Sequence, residues 1–245
     1  MFSKTVKPRG RGRPPGRTEQ GIATRQRLYD VAIRLIAERG YEATTLRDIA
    51  ERAGVSVGLL YRYFPSKRAV VLALYDELSR EYAEQVVRMS AGRWRDRFAF
   101  ALETSLRVLR PHRTTLTALV PVLVGGPEEG LFANATAFSR VRVERAFLEA
   151  VAGATDAPPA SLAASTGRLL YLIHLGVILW WLLDKSPHQR ATTALVALLR
   201  QMLPSAALAL RLPAVRRFVR TAAELSREAL AEETQDPPVG STIRN

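Results

Sequence analysis

The chain has 245 residues, with 36 Lys or Arg against 23 Asp or Glu, a formal net charge of +13. That balance points to an anionic partner, either nucleic acid or an acidic membrane surface. The absence of cysteine excludes disulfides, thiol catalysis and cysteine-based zinc sites, while 47% hydrophobic residues are enough to bury a core.

The charge is concentrated at the start. Residues 1–68 hold 15 of the basic residues and 6 of the acids, and the remainder is close to balanced. Within them, residues 7–17 read KPRGRGRPPGR, with no acid and no hydrophobe. This stretch has nothing to bury and is expected to be a flexible basic arm over residues 1–17. No apolar run follows the basic residues, so no secretory signal is expected.

The next segments carry helical spacing, and alternating strand patterns are almost absent. Leu28, Val31, Ala32, Leu35 and Ile36 form one stripe of a helix over 18–39, with Gly40 at its end. Thr45-Leu-Arg-Asp48 reads as a capping box opening a second helix with Leu46, Ile49, Ala50 and Ala53 as its apolar positions. Gly54 ends it. Ser56 can cap a third, short helix in which Val57, Leu60, Tyr61 and Phe64 are spaced for packing. After Pro65-Ser66 a long amphipathic helix is predicted over 67–89. Two short helices joined by Ala53-Gly-Val-Ser56 make a helix-turn-helix. Ala50 permits a close crossing, Gly54 supplies the turn, Val55 plugs the core and Leu60 anchors the second helix. Its outward face is then free to enter a major groove.

The segment Thr44 to Leu74, TTLRDIAERAGVSVGLLYRYFPSKRAVVLAL, with ATRQRLYDVAIRLIAERGYEA before it, resembles the DNA-binding domain of TetR-family transcriptional regulators. The likeness spans residues 23–74; beyond residue 80 it extends only to an all-helical layout. The resemblance implies that Thr45 and Arg47 touch phosphate or a base edge. It also implies that Ser56, Val57, Gly58 and Leu59 open the recognition helix and face the groove, with Gly58 letting the backbone approach. Val57 and Leu59 suit a thymine methyl, and Arg62 a guanine edge or a phosphate. Tyr61, Tyr63 and Lys67 are placed for phosphate. Tyr61 and Phe64 equally suit a core, and Ser56 can act only as a cap. Arg11-Gly-Arg13-Pro14 resembles an AT-hook core, in which the arginines lie along a narrow minor groove, with Pro8-Arg-Gly-Arg11 as a second register.

Prolines divide the rest into helical blocks over 93–110, 112–124, 128–152, 160–185, 188–203 and 205–233, with a disordered tail over 234–245. The longest apolar run, Leu169–Leu183, is 15 residues, short of the ~18–20 that span a bilayer. It is expected to be a buried helix, with no membrane partner. Tyr171, His174, Trp180 and Trp181 on it are candidate effector-pocket residues. The adjacent tryptophans cannot face one surface, and packing alone is an alternative for both and for His174. The block 205–233, with Val215, Phe218, Val219, Ala222 and Leu225 along one stripe, is expected to be a dimer helix. His112, His174 and His188 show no metal-binding or catalytic spacing.

These readings give an all-α chain. Its parts are a basic arm (1–17), a three-helix helix-turn-helix domain (18–66), a larger helical effector-binding and dimerisation domain (67–233) and a tail. No metal, cofactor or enzymatic activity is expected. The expected function is that of a cytoplasmic, ligand-responsive, sequence-specific regulator. The favoured form is a repressor that holds a palindromic double-stranded DNA operator as a homodimer and is released by a small apolar or aromatic effector. The alternative is an architectural DNA binder without ligand control.

Overall fold

The computed structural model describes residues 19–230. The arm, including Arg11 and Arg13, and the tail lie outside them. Among the described residues the fold is all-α with no strand.

Three helices build the head: α1 (Glu19–Arg39), α2 (Leu46–Arg52) and α3 (Val57–Tyr63). Their shared core is Leu28, Leu35, Ile36, Ile49, Ala50, Leu60 and Phe64, all buried. Helix α4 (Lys67–Val86) starts in the head, capped by Ser66, and continues into the body. There it packs against α5 (Trp94–Leu109) and α8 (Ala137–Ala152). Between α5 and α8 lie two short helices, α6 (Arg113–Ala118) and α7 (Val120–Gly125), and α6 rests on α1. Three long helices complete the body: α9 (Ala160–Leu183), α10 (Arg190–Ala209) and α11 (Pro213–Leu230).

The centre of the body is aromatic. Phe147 of α8 has ring centroids 5.9 Å from Phe98, 6.1 Å from Tyr171 and 4.6 Å from His174. Helices α8 and α9 approach closely at Gly167, where a Cβ would meet the Leu148 Cα at 2.8 Å. No other residue type permits that crossing.

Several boundaries differ from those the sequence suggests. The block over 112–124 is two helices meeting at Leu119, with Pro121 in the first turn of the second, where its missing N–H costs nothing. The block expected to be helical over 128–152 begins only at Ala137. Before it the chain makes a compact loop, 126–136. Gly130 N–H donates to the Gly126 carbonyl at 2.9 Å, Leu131 N–H to the Leu123 carbonyl at 2.9 Å, and the Thr136 hydroxyl to the Gly130 carbonyl at 2.7 Å. The expected break at residue 204 is absent. Helix α10 runs through Pro204, and the chain turns instead at 210–212, with Pro213 opening α11. Pro204 is exposed, so water can satisfy the carbonyl its ring leaves unpaired. The long fourth helix ends at Val86 rather than 89. Finally, Leu60 and Phe64 pack, but Val57 and Tyr61 do not: they are 36% and 51% exposed on the other side of α3.

Candidate nucleic-acid interface and body cavity

The head's outward face is held by two caps and a turn. Thr45 Oγ1 accepts from Asp48 N–H at 3.1 Å, and Asp48 Oδ2 accepts from Thr45 N–H at 3.0 Å. The Thr45 hydroxyl, donating to Asp48 Oδ2 at 2.7 Å, and then the Thr45 N–H keep the Asp48 carboxyl below its usual range. Gly54 has φ +64°, a left-handed conformation that favours glycine, and Val55 N–H then donates to the Ala50 carbonyl at 3.0 Å. Ser56 caps α3 by accepting from Leu59 N–H at 3.2 Å. The first turn of α3 is thereby fixed, with its N-terminus outward.

The candidate contact residues fall into two groups. Thr45, Arg47, Ser56, Val57, Gly58, Tyr61 and Arg62 are exposed, and Thr45, Arg47, Val57 and Tyr61 line one shallow surface cleft. Among the described residues, Arg47 and Arg62 have no acidic partner within ion-pair distance. A Cβ on Gly58 would meet nothing within 4 Å. Leu59 and Tyr63 are half-buried, and Tyr63 packs on the core. Lys67 is already engaged. Its Nζ donates to the Tyr41 and Glu42 carbonyls at 2.8 and 3.4 Å and lies 4.4 Å from the Tyr41 ring centroid. It clamps the α1–α2 connection to the start of α4.

The body holds a cavity of about 420 Å³ between α4, α5, α8 and α9. Its walls are almost entirely apolar, with Leu78, Val108, Leu116, Ile178 and Leu182 among them. Tyr171 and His174 line it. His174 is buried, its Nε2 2.8 Å from Ser105 Oγ. Burial lowers its pKa to about 3, against a weaker opposite pull from the Tyr171 backbone, so the ring is neutral.

The two tryptophans do not join this cavity. Trp181 is 3% exposed, donates Nε1–H to Gln189 Oε1 at 3.0 Å, and lines a separate cleft of about 570 Å³ between α5 and α10. Trp180 is 51% exposed on the outside of α9. Their 100° offset separates them, as successive helix positions must be. Among the described residues no group of His, Asp or Glu is placed to hold a metal.

What joins head to body was not legible in the sequence. Loop 126–136 supplies Leu131 and Phe132 to the cavity wall. The same loop places Glu128 in an ion pair with Arg68, and Glu129 Oε1 accepts from the Tyr41 hydroxyl at 3.2 Å. Two adjacent acids after Gly-Gly-Pro were the only signal, and helical spacing obscured it. Arg140, in the first turn of α8, also lines the cavity, and nothing in its neighbourhood of sequence marked it.

The family model for bacterial regulatory proteins of the tetR family matches residues 28–74, the helix-turn-helix and the start of α4. A transcriptional repressor of Rhodococcus jostii, KstR, is 30% identical over 170 residues, covering 66% of this chain and 74% of that protein. The chain belongs to the TetR family of transcriptional regulators. A second repressor from Rhodococcus jostii, KstR2, is 38% identical over 108 residues, which are 44% of this chain and 45% of its own length. The chain thus spans less than half of that relative. A solved TetR-family regulator from Streptomyces coelicolor superposes with TM-score 0.55 at 25% identity, covering 85% of this chain and 96% of the other. Family membership thus accounts for both the head and the helical body.

Proposed function

We propose that this TetR-family regulator is a cytoplasmic, homodimeric repressor that holds a palindromic operator and releases it when a small molecule fills the body cavity. The observation that carries the reading is the exposure of Arg47 on α2 and of Val57, Gly58, Tyr61 and Arg62 on α3, two capped helices over a buried core. Those residue types suit a major groove: guanidiniums for guanine or phosphate, a methyl-bearing side chain for thymine, and a glycine where the backbone must come close.

Dimerisation is supported by apolar surface that the monomer leaves open. Ile173, Trp180 and Leu183 lie exposed on α9, and Phe218 and Leu225 on α11. Two copies packed through such faces would present two heads with the symmetry of a palindrome. Release would act through loop 126–136. A ligand pressing on Leu131 and Phe132 moves the segment whose acids hold Arg68 and Tyr41, and the heads then lose their spacing. The shift is set by how much better the ligand fits the released state.

The test is a band-shift and footprinting series with DNA upstream of the protein's own gene, against random DNA of equal length. A protected palindrome bound more than about 1000-fold tighter than random DNA is expected. Equal affinity for both would favour an architectural binder. Arg47→Ala should weaken operator binding by about 1–3 kcal/mol and leave the dimer intact.

A further inference from the structure

We infer that the effector is a lipophilic carboxylate whose charged group pairs with Arg140, its hydrocarbon body filling the cavity. This rests on the reading of the cavity as the effector site. Among the described residues Arg140 is the one charged group on that wall, and no acid lines it. The wall's serines already have partners within the protein: Ser79 accepts from Arg142, Ser105 pairs with His174, and Ser139 donates to the Thr136 carbonyl. The hydroxyls of Tyr75 and Tyr82 and the Nδ1 of His174 are buried at the wall without a hydrogen-bond partner, so each can add a neutral hydrogen bond to a ligand. The one charge that the cavity offers to a ligand is that of Arg140.

The guanidinium is only half used. Its Nη1 donates to the Leu131 and Ala133 carbonyls at 3.1 and 3.3 Å, and its Cζ lies 6.0 Å from the Phe132 ring centroid. Its Nε and Nη2 have no hydrogen-bond partner and no carboxylate within ion-pair distance among the described residues. Those two nitrogens form the edge that takes a carboxylate with two parallel hydrogen bonds. The position suits an amphipathic molecule. Half-buried Phe132 and exposed Val124 line the cavity with Arg140, whereas Tyr82, His174 and Leu182, on the same wall, are almost fully buried. A charged group thus sits toward solvent and an apolar body runs inward, in the size range of small-molecule sites.

The test measures binding of dodecanoate and 1-dodecanol to the full chain by isothermal titration at pH 7. Dodecanoate should bind at least about tenfold tighter, the margin of one charge-assisted pair. Arg140→Gln should remove that margin and leave 1-dodecanol unchanged, with folding checked by thermal melting. Arg140→Lys, a point charge without the fork, should keep part of it. Equal affinity of the unaltered protein for both ligands, or a margin that survives Arg140→Gln, would overturn the carboxylate assignment while the effector cavity stands. Binding of neither ligand would remove the cavity reading, and the carboxylate with it.

Discussion

Gly58 is a residue the fold does not ask for. It sits inside α3 with an ordinary φ, and a methyl group there would meet only open space. Glycine within a helix costs about 1 kcal/mol relative to alanine. Gly58→Ala should therefore stabilise the protein by about that amount in denaturant unfolding and weaken operator binding in the same preparation. Raised stability with undiminished binding would mean that no DNA backbone or base edge comes close at this position. His174 is the opposite kind of residue, enclosed by the fold and kept neutral by burial. Its folded pKa, about 3, lies below the ordinary value of 6.5, so the unfolded chain binds a proton first as the pH falls. Its contribution is therefore constant above about pH 6.5 and declines toward pH 3, by up to about 1.4 kcal/mol per pH unit. His174→Gln should flatten that part of the stability profile; an unaltered acid slope would show that the loss comes from carboxylates such as Asp48 and Asp76, whose pKa values are lowered.

At the scale of elements, α1 to α3 were legible in the sequence because each is closed by local chemistry: a capping box at Thr45, a left-handed Gly54, a cap at Ser56. Every one of these acts within five residues. The body was legible only as helix. Pro204 looked like a boundary and lies inside α10, because its neighbours decide whether the freed carbonyl meets water. Loop 126–136 looked like the start of a helix, and its fold is set by Thr136, whose hydroxyl donates across six residues to the Gly130 carbonyl. The pocket residues divided for the same reason. Tyr171 and His174 face the cavity, whereas Trp180 and Trp181 do not, and only the packing of α8 and α5 on α9 fixes that rotation. The loop's two acids allow a direct test. Glu128→Gln with Glu129→Gln removes the Arg68 pair and weakens the Tyr41 bond. Both are partly exposed, so the loss of stability should stay near or below about 1 kcal/mol. The concentration of ligand needed to release the operator should nevertheless change several-fold in a band-shift titration. An identical release curve would show that the signal takes another route.

For the whole molecule, charge is the property that composition reported most directly. Residues 1–17 carry six Lys or Arg and no acid. Deleting them should reduce the slope of log affinity against log salt by about 0.9 for each phosphate that is no longer neutralised. An unchanged slope would mean that the arm takes no part in binding. The dense charge is in the arm, whereas the head over 18–66 holds seven Lys or Arg against six acids; head and body meet at, among other places, loop 126–136. That single stretch is both wall and grip: Leu131 and Phe132 on one side, Glu128 and Glu129 on the other. Anyone recasting this protein as a biosensor inherits the coupling. If the cavity is the inducer site proposed above, substitutions at the wall that widen its taste for inducers should also shift the leakiness of the off state, so selectivity and background expression would have to be evolved together. The dynamic range is then best tuned at α9's deeper wall, one step removed from loop 126–136.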